Sequence, residues 1–219
     1  MNLSVNDNKY FDCSRGCVVT QDESTGETKC TYRQGCCKLE VYNWLKGVAQ
    51  EQYSKYFEVR FKNSRKGIYI NGSGQSIKTG DLVIVEAQTG HDLGIVTLEG
   101  PVVFRQMRCK GIDPETTEFR RIYRKAKAYD IEKWQDAIAR EQDVMIRSRI
   151  LAANLGLEMK IGDVEFQGDG TKAIFYYIAD GRVDFRQLIK DFAEEVHVRK
   201  PVLSVVLESA EGSFAAPTI

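Results

Sequence analysis

Between residues 163 and 199 the spacing of apolar positions changes twice, and each change marks an element. Val164 and Phe166 alternate with polar neighbours, and Gly168-Asp169-Gly170 follows as a turn in which glycine takes positive φ at little cost. The spacing predicts a hairpin. Its second arm, residues 173–179 (AIFYYIA), is apolar without a break, as expected of a central strand covered on both faces. Asp180-Gly181 ends that run. Asp184 and Gln187 stand three apart as an N-cap and its reciprocal glutamine, with Phe185, Leu188, Ile189, Phe192 and Val196 behind them at helical spacing. Residues 197–207 return to strand composition, which completes a β-β-α-β unit with one helix on one face of a small sheet.

Upstream of this unit, from Tyr56, the period is two. Phe57, Val59 and Phe61 alternate with charged residues. Gly67-Ile68-Tyr69-Ile70, residues 82–87 (LVIVEA), residues 94–98 (GIVTL) and residues 102–107 add short strands separated by Asn71-Gly72, Gly80-Asp81 and Thr89-Gly90. Strands of this length and spacing predict a small barrel or a strongly bent sheet. Asp113-Pro114-Glu115 has the form of a helix start, which predicts a helix through the basic segment 119–130. Asp130 caps a second helix running to Leu155 and stopped by Gly156. Its stripe is Ile131, Trp134, Ile138, Val144, Met145, Leu151, Ala152 and Leu155, with Arg140, Arg147 and Arg149 off it and Glu132, Asp136 and Glu141 answering part of their charge. At ~1.5 Å per residue this is a rod approaching ~40 Å.

The expected class is therefore α+β: a β-rich barrel-like module, a long helical connection and a β-β-α-β layer. The expected segments are a Cys-rich stretch 1–55, the module 56–112, the connection 113–156, the layer 157–208 and a mobile tail 209–219. Within the first of these, residues 20–31 read as a polar loop, and residues 39–48 (LEVYNWLKGV) as a short amphipathic run that packs on the main domain.

With 219 residues there is ample material for a core, and 31 Lys+Arg against 31 Asp+Glu give no global basic field. No stretch reaches the ~18 apolar residues of a membrane span, and MNLSVNDNKYF lacks the charged start and apolar core of a leader, so a cytoplasmic protein is expected.

Charge and chemistry concentrate in two places. Cys13, Cys17, Cys30, Cys36 and Cys37 lie close together, while Cys109 stands apart. Clustered thiols in a reducing compartment point to metal or redox chemistry, and thiolates in this number suit either zinc or an iron-sulfur cluster. Unrelated thiols on a polar tail and a regulated disulfide are the alternatives. The second place is FRRIYRKAKAYD, where Arg120, Arg121, Arg124, Lys125 and Lys127 crowd together with Phe119, Ile122 and Tyr123 interleaved. Arginines at regular spacing track phosphates and a tyrosine stacks on a base, so RNA contact stands beside the plainer reading of a solvated helix face. His91 and Asp92 form the one pair that invites a catalytic role. Turn chemistry, with Asp92 bonding the backbone two residues on, explains them more simply.

Two stretches carry a resemblance. MIRSRILAANLGLEMKIGDVEFQGDGTKAIFYYIADGRVDFRQLIKDFAEEVHVR (145–199) and, within 57–100, FEVRFKN with GDLVIVEAQTGHDLGIVTLEG resemble the bacterial YaaT or RicT family, which carries the PSP1 C-terminal region. The resemblance implies a cytoplasmic regulatory protein without catalytic residues. It also implies a three-protein complex that binds iron-sulfur clusters and assists an endoribonuclease in RNA maturation. Family members continue into a motif like C-G-R-E-L-C-C, whereas this chain ends KPVLSVVLESAEGSFAAPTI. Residues 209–216 (SAEGSFAA) can be encoded by bases whose shifted frame spells that motif, so a frame slip after about Arg199 is the expectation. Its structural consequence would be a poorly paired last strand and a partly uncovered apolar sheet edge.

The leading expectation is a non-enzymatic regulatory or adaptor subunit in RNA processing, acting through protein partners with a thiol-bound iron-sulfur cluster or zinc. Direct RNA binding through Arg120, Arg121, Arg124, Lys125 and Lys127 is the alternative. A metal-dependent enzyme ranks last, because no histidine or carboxylate cluster accompanies the thiols.

Overall fold

The structure is a computed structural model that describes residues 10–12, 17–21, 26, 28–32, 55–63, 65–181, 183–195 and 204–209. The chain divides into two compact units, Met1–Ile131 and Glu132–Ile219. Residues 39–48 and the tail beyond Ser209 lie outside the described residues.

The first unit begins with three short antiparallel strands in the order β1-β2-β3: β1 (Tyr10–Asp12), β2 (Cys17–Gln21) and β3 (Thr28–Tyr32). Residues 20–21 and 28–31 of the expected polar loop are thus strand, paired antiparallel. Val19 and Thr28 bring β-branched residues to the two strands, and Gly26 takes φ 67 between them.

A closed barrel follows. It consists of β4 (Tyr56–Arg60), β5 (Lys66–Asn71), β6 (Leu82–Glu86), β7 (His91–Glu99) and, after helix α1 (Pro101–Cys109), β8 (Arg120–Lys125), closed in the order β4-β5-β8-β6-β7. Every pairing is antiparallel except β5 with β8. Strand alternation sends Phe57, Val59, Tyr69, Val83, Val85, Val96 and Ile122 into one buried cluster with Phe61 and Ile77. The opposite parity supplies a second cluster, in which Tyr56 and Leu98 pack with Val102, Val103 and Met107 of α1.

Two expectations fail here, each for a physical reason. Residues 102–107 form helix α1, not a strand: Gly100 at φ 69 turns the chain, Pro101 suits the first helical turn, and Val103 and Met107 recur four apart on the buried side. Val102-Val103-Phe104 has strand propensity, and tertiary packing overrides it. Conversely, the basic segment is not a helix. Asp113 accepts from Glu115 N at 3.0 Å and from Thr116 Oγ1 at 3.2 Å, which closes a local turn that does not propagate. Phe119 then packs edge-on to Tyr56, 5.3 Å between ring centres, and Ile122 enters the barrel core. These contacts hold residues 120–125 extended as the strand that closes the barrel.

Helix α2 (Ala128–Asn154) starts three residues earlier than its sequence signals indicate and ends before Gly156 at φ 64. Asp130 acts from its first turn, where Oδ2 accepts the Lys127 N–H at 2.8 Å. The second unit holds β9 (Met159–Phe166), β10 (Lys172–Ala179), α3 (Arg186–Glu195) and β11 (Ser204–Ser209), with sheet order β11-β10-β9. This is the expected β-β-α-β arrangement with β10 central. Gly170 at φ 71 donates to Gln167 O at 2.7 Å in the predicted turn. Ala137, Val144 and Ala152 of α2 and Leu188 of α3 bury one sheet face with Val164, Phe166, Ala173 and Phe175.

Four details of this unit depart from expectation. The run 173–179 is fully buried only over Ala173, Ile174 and Phe175, and Ile178 is exposed. Gln187 bonds Asp191 at 2.7 Å instead of reaching back to the cap, while Asp184 does accept the Arg186 N–H at 3.1 Å. The last strand starts at Ser204 and is not poorly paired: it lies parallel to β10 over six positions, from Lys172↔Ser204 to Tyr177↔Ser209. Glu141, expected to answer arginine charge, is buried together with Ser148.

That last departure bears on the side of β9 away from β10, where among the described residues no strand pairs with it and buried backbone groups need other partners. Glu141 Oε1 accepts the buried Phe166 N–H at 3.1 Å. Arg149 Nε and Nη2 donate to the carbonyls of Ile161 (2.7 Å) and Gly162 (3.2 Å). Gly162 is the extra residue where the β9–β10 register shifts. Among the described residues, polar side chains of α2 thus take up backbone groups of β9 that β10 does not.

Candidate functional site

Strand β8 carries the basic residues singled out in the sequence, and its pairing sorts them into two groups. Arg124 and Lys125 are held in ion pairs. Arg124 Nη1 and Nη2 both bond Asp130, the second at 3.0 Å, and Lys125 Nζ stands 2.9 Å from the buried Asp81. The Arg124 hydrogen bonds hold the Asp130 carboxyl below its ordinary range, against the effect of burial, and Asp130 in turn raises Arg124. These cations close the barrel and start α2.

Arg120, Arg121 and Lys127 are exposed instead. Arg120 bonds the side chain of Tyr69, whose hydroxyl is pushed above its ordinary value by burial first and then by the Asp92 charge. Ile122 points inward, so Arg121 and Tyr123 on either side of it face outward. Tyr123 is 47% exposed and Tyr129, on the first turn of α2, 62%. Arg121, Tyr123, Lys127 and Tyr129 are thus each exposed, cations of a kind that suits phosphate oxygens and rings of a kind that suits stacking. Sequence spacing alone offers five equivalent cations on a helix. The strand divides them.

The thiol cluster is described only in part. Cys13, Cys36 and Cys37 lie outside the described residues, while Cys17 opposes Tyr32 and Cys30 opposes Val19 on the neighbouring strand, one diagonal step apart in register. Among the described residues no three His, Cys, Asp or Glu gather as metal ligands. Cys109, expected at a strand end, is an exposed thiol in the last turn of α1.

His91 and Asp92 are not in a turn but begin β7, after Gly90 at φ 70. Asp92 is buried. Its Oδ2 meets Arg65 Nη2 at 2.8 Å and its Oδ1 accepts the N–H of Leu93, one residue on. The pair is thereby accounted for as a strand start tied down by an ion pair.

The least legible group is Glu58. Its parity in β4 is opposite to Phe57 and Val59, which in an open sheet means solvent, yet it is buried where α1 covers that side of the barrel. Its carboxylate accepts from Thr97 Oγ1 at 3.0 Å and Gln106 Nε2 at 3.5 Å and lies 3.4 Å from Lys66 Nζ and 3.8 Å from Lys110 Nζ. A helix after residue 100 is the signal that would reveal it, and the sequence there has the look of a strand.

A barrel that ends in a basic strand, followed by a long helix and a β-β-α-β layer, defines a mixed α+β protein with more strand than helix. Residues 120–200, from β8 through α3, match the family model described as PSP1 C-terminal conserved region. Stage 0 sporulation protein YaaT of Bacillus subtilis (strain 168) is 36% identical over 141 residues, 62% of this chain and 46% of that protein. A protein of Schizosaccharomyces pombe is 25% identical over 180 residues, 68% of this chain and 23% of that protein. The chain therefore spans less than half the length of these curated relatives. No solved structure matches it. The chain is thus similar to the PSP1 C-terminal region over residues 120–200 and to YaaT over 62% of its length. Among the described residues no helix is long and apolar enough to cross a membrane.

Proposed function

We propose that the chain is a non-enzymatic, cytoplasmic regulatory subunit, related in role to the sporulation protein it resembles and acting through protein partners in RNA processing. The carrying observation is the 36% identity to Stage 0 sporulation protein YaaT, since a regulatory role follows from that relationship and from no reactive constellation. The partner assembly includes an endoribonuclease. A thiol-bound iron-sulfur cluster, or zinc, sits on Cys13, Cys17, Cys30, Cys36 and Cys37, where it reports redox state. Protein prepared anaerobically with iron and sulfide is expected to carry metal, and a variant with all five cysteines changed to serine is expected to carry almost none. Equal metal content in the two preparations would remove the cluster from this reading, while Cys109→Ser should change nothing.

A second reading has its own observation, the exposure of Arg121, Tyr123, Lys127 and Tyr129. Here the chain holds single-stranded RNA directly. Arg121→Gln with Lys127→Gln should then lower affinity and reduce the log-log salt slope by about 0.7 for each phosphate that is no longer neutralised. Arg124→Gln should instead weaken the fold, because it leaves the mostly buried Asp130 without its cation. An unchanged slope in the Arg121/Lys127 variant, measured by fluorescence anisotropy, leaves RNA to the partners.

A further inference from the structure

Among the described residues five large apolar side chains are exposed: Tyr123, Tyr129, Ile146, Ile150 and Ile178. The tyrosines carry a hydroxyl that suits water. The three isoleucines, 47%, 55% and 53% exposed, do not, and all belong to the second unit. Ile146 and Ile150 are four apart on α2 and Ala153 continues their row, so they form one ridge along the helix, about 10 Å long at its usual rise. This ridge runs opposite the stripe of Ala137, Val144 and Ser148 that is buried.

Ala153 is also part of a half-open cleft of about 630 Å³, whose walls include Leu157, Met159 and Ile178. Lys160 opposes Ile178 across the β9–β10 pairing, and Arg149 enters from the helix side. Among the described residues no carboxylate lines the cleft. Arg149 already serves the carbonyls of Ile161 and Gly162, but its guanidinium and the Lys160 ammonium meet no carboxylate in the lining. An apolar ridge leading into an apolar cleft with a cationic wall has a definite complement.

We infer that this ridge and cleft form a docking surface for an amphipathic helix of a partner protein, one whose apolar face lies along Ile146, Ile150 and Ala153 and whose carboxylates meet Arg149 and Lys160. The ridge favours a helix over a small molecule, because two of the three exposed isoleucines stand outside the cleft and a ligand filling only the cleft would leave them in water. The inference adds a surface to the regulatory reading but stands on the second unit alone, independent of RNA and of the thiols.

The test uses the full chain and a fluorescein-labelled synthetic helix of about 18 residues with a leucine face and glutamates elsewhere, beside a matched peptide carrying lysine for glutamate. The glutamate peptide should bind saturably and about tenfold or more tighter than the lysine peptide. Ile150→Ser with Ile178→Ser should weaken it about tenfold, and Lys160→Glu should reverse the preference between peptides, all with unchanged circular dichroism. Equal binding of both peptides, or wild-type affinity in the isoleucine variant, would overturn the proposal. So would octanoate displacing the peptide from wild type and the isoleucine variant alike, which marks a small-ligand cleft. A concentration-dependent dimer in sedimentation, lost on Ile150→Ser, would overturn it in favour of a second copy of this chain. Because RNA affinity and metal content are read separately, failure here leaves the proposed function standing, and the reverse holds too.

Discussion

Replacing Gly94 with alanine is expected to destabilise the barrel by about 1–3 kcal/mol, the range for forcing extra volume into a packed core. Gly94 sits in β7 opposite Val83 of β6. A Cβ there would lie 2.4 Å from Val59 Cγ1, 2.9 Å from Phe61 Cε1 and 3.1 Å from the Arg60 carbonyl oxygen. Val59 is wholly buried and belongs to β4, which is paired on both sides in a closed ring, so neither its side chain nor the backbone beside it has room to withdraw. The loss should appear as faster amide exchange throughout β6 and β7, with the second unit unaffected. Gly181→Ala is the control: an added Cβ there meets nothing within 4 Å. If the Gly94 variant exchanges like wild type, the barrel interior is not packed as described.

Glu141→Ala should cost the second unit a comparable amount, about 1–3 kcal/mol, because it strands the buried Phe166 N–H without an acceptor. Glu141→Gln keeps an oxygen in place and should cost less. The order of stability, wild type above Gln above Ala, separates an edge-capping role from simple loss of packing, since glutamine and glutamate have nearly the same volume. Hydrogen exchange at the Phe166 amide reads the effect directly. Equal protection in all three proteins would show that the amide is satisfied some other way. Freed of its cap, β9 also becomes an edge able to pair with another chain, so the Ala variant should aggregate more readily on heating.

The second unit was legible because its signals are local. The turn at 168–170, the apolar run 173–179 and the 3.6-residue pattern from Phe185 each lie within a dozen consecutive residues, and each maps onto β9, β10 or α3. The same holds for α2, whose end at Gly156 depends on one backbone conformation. What escaped was decided by distant partners. In β8 only Ile122 is buried and the rest are mostly cations, so nothing within the segment outweighs helix propensity. The strand exists because β5 and β6 need a neighbour to close the ring. Glu58 and Glu141 escaped for a related reason. A carboxylate is buried where its hydrogen-bond donors are, and Thr97, Gln106 and the Phe166 amide lie from 25 to 48 residues away in sequence. For the basic set, the residues themselves stand out in the sequence, and the barrel decides which of them face water.

The measurement that bears most directly on the regulatory role is complementation. This chain would be expressed in Bacillus subtilis from which YaaT has been removed, and heat-resistant spores counted against strains carrying an empty vector or the native YaaT. The account predicts spore counts well above the empty vector, with the same protein made Ile150→Ser and Ile178→Ser falling back toward it. Spore counts at the empty-vector level, in cells that contain the folded chain at native YaaT abundance, would contradict it.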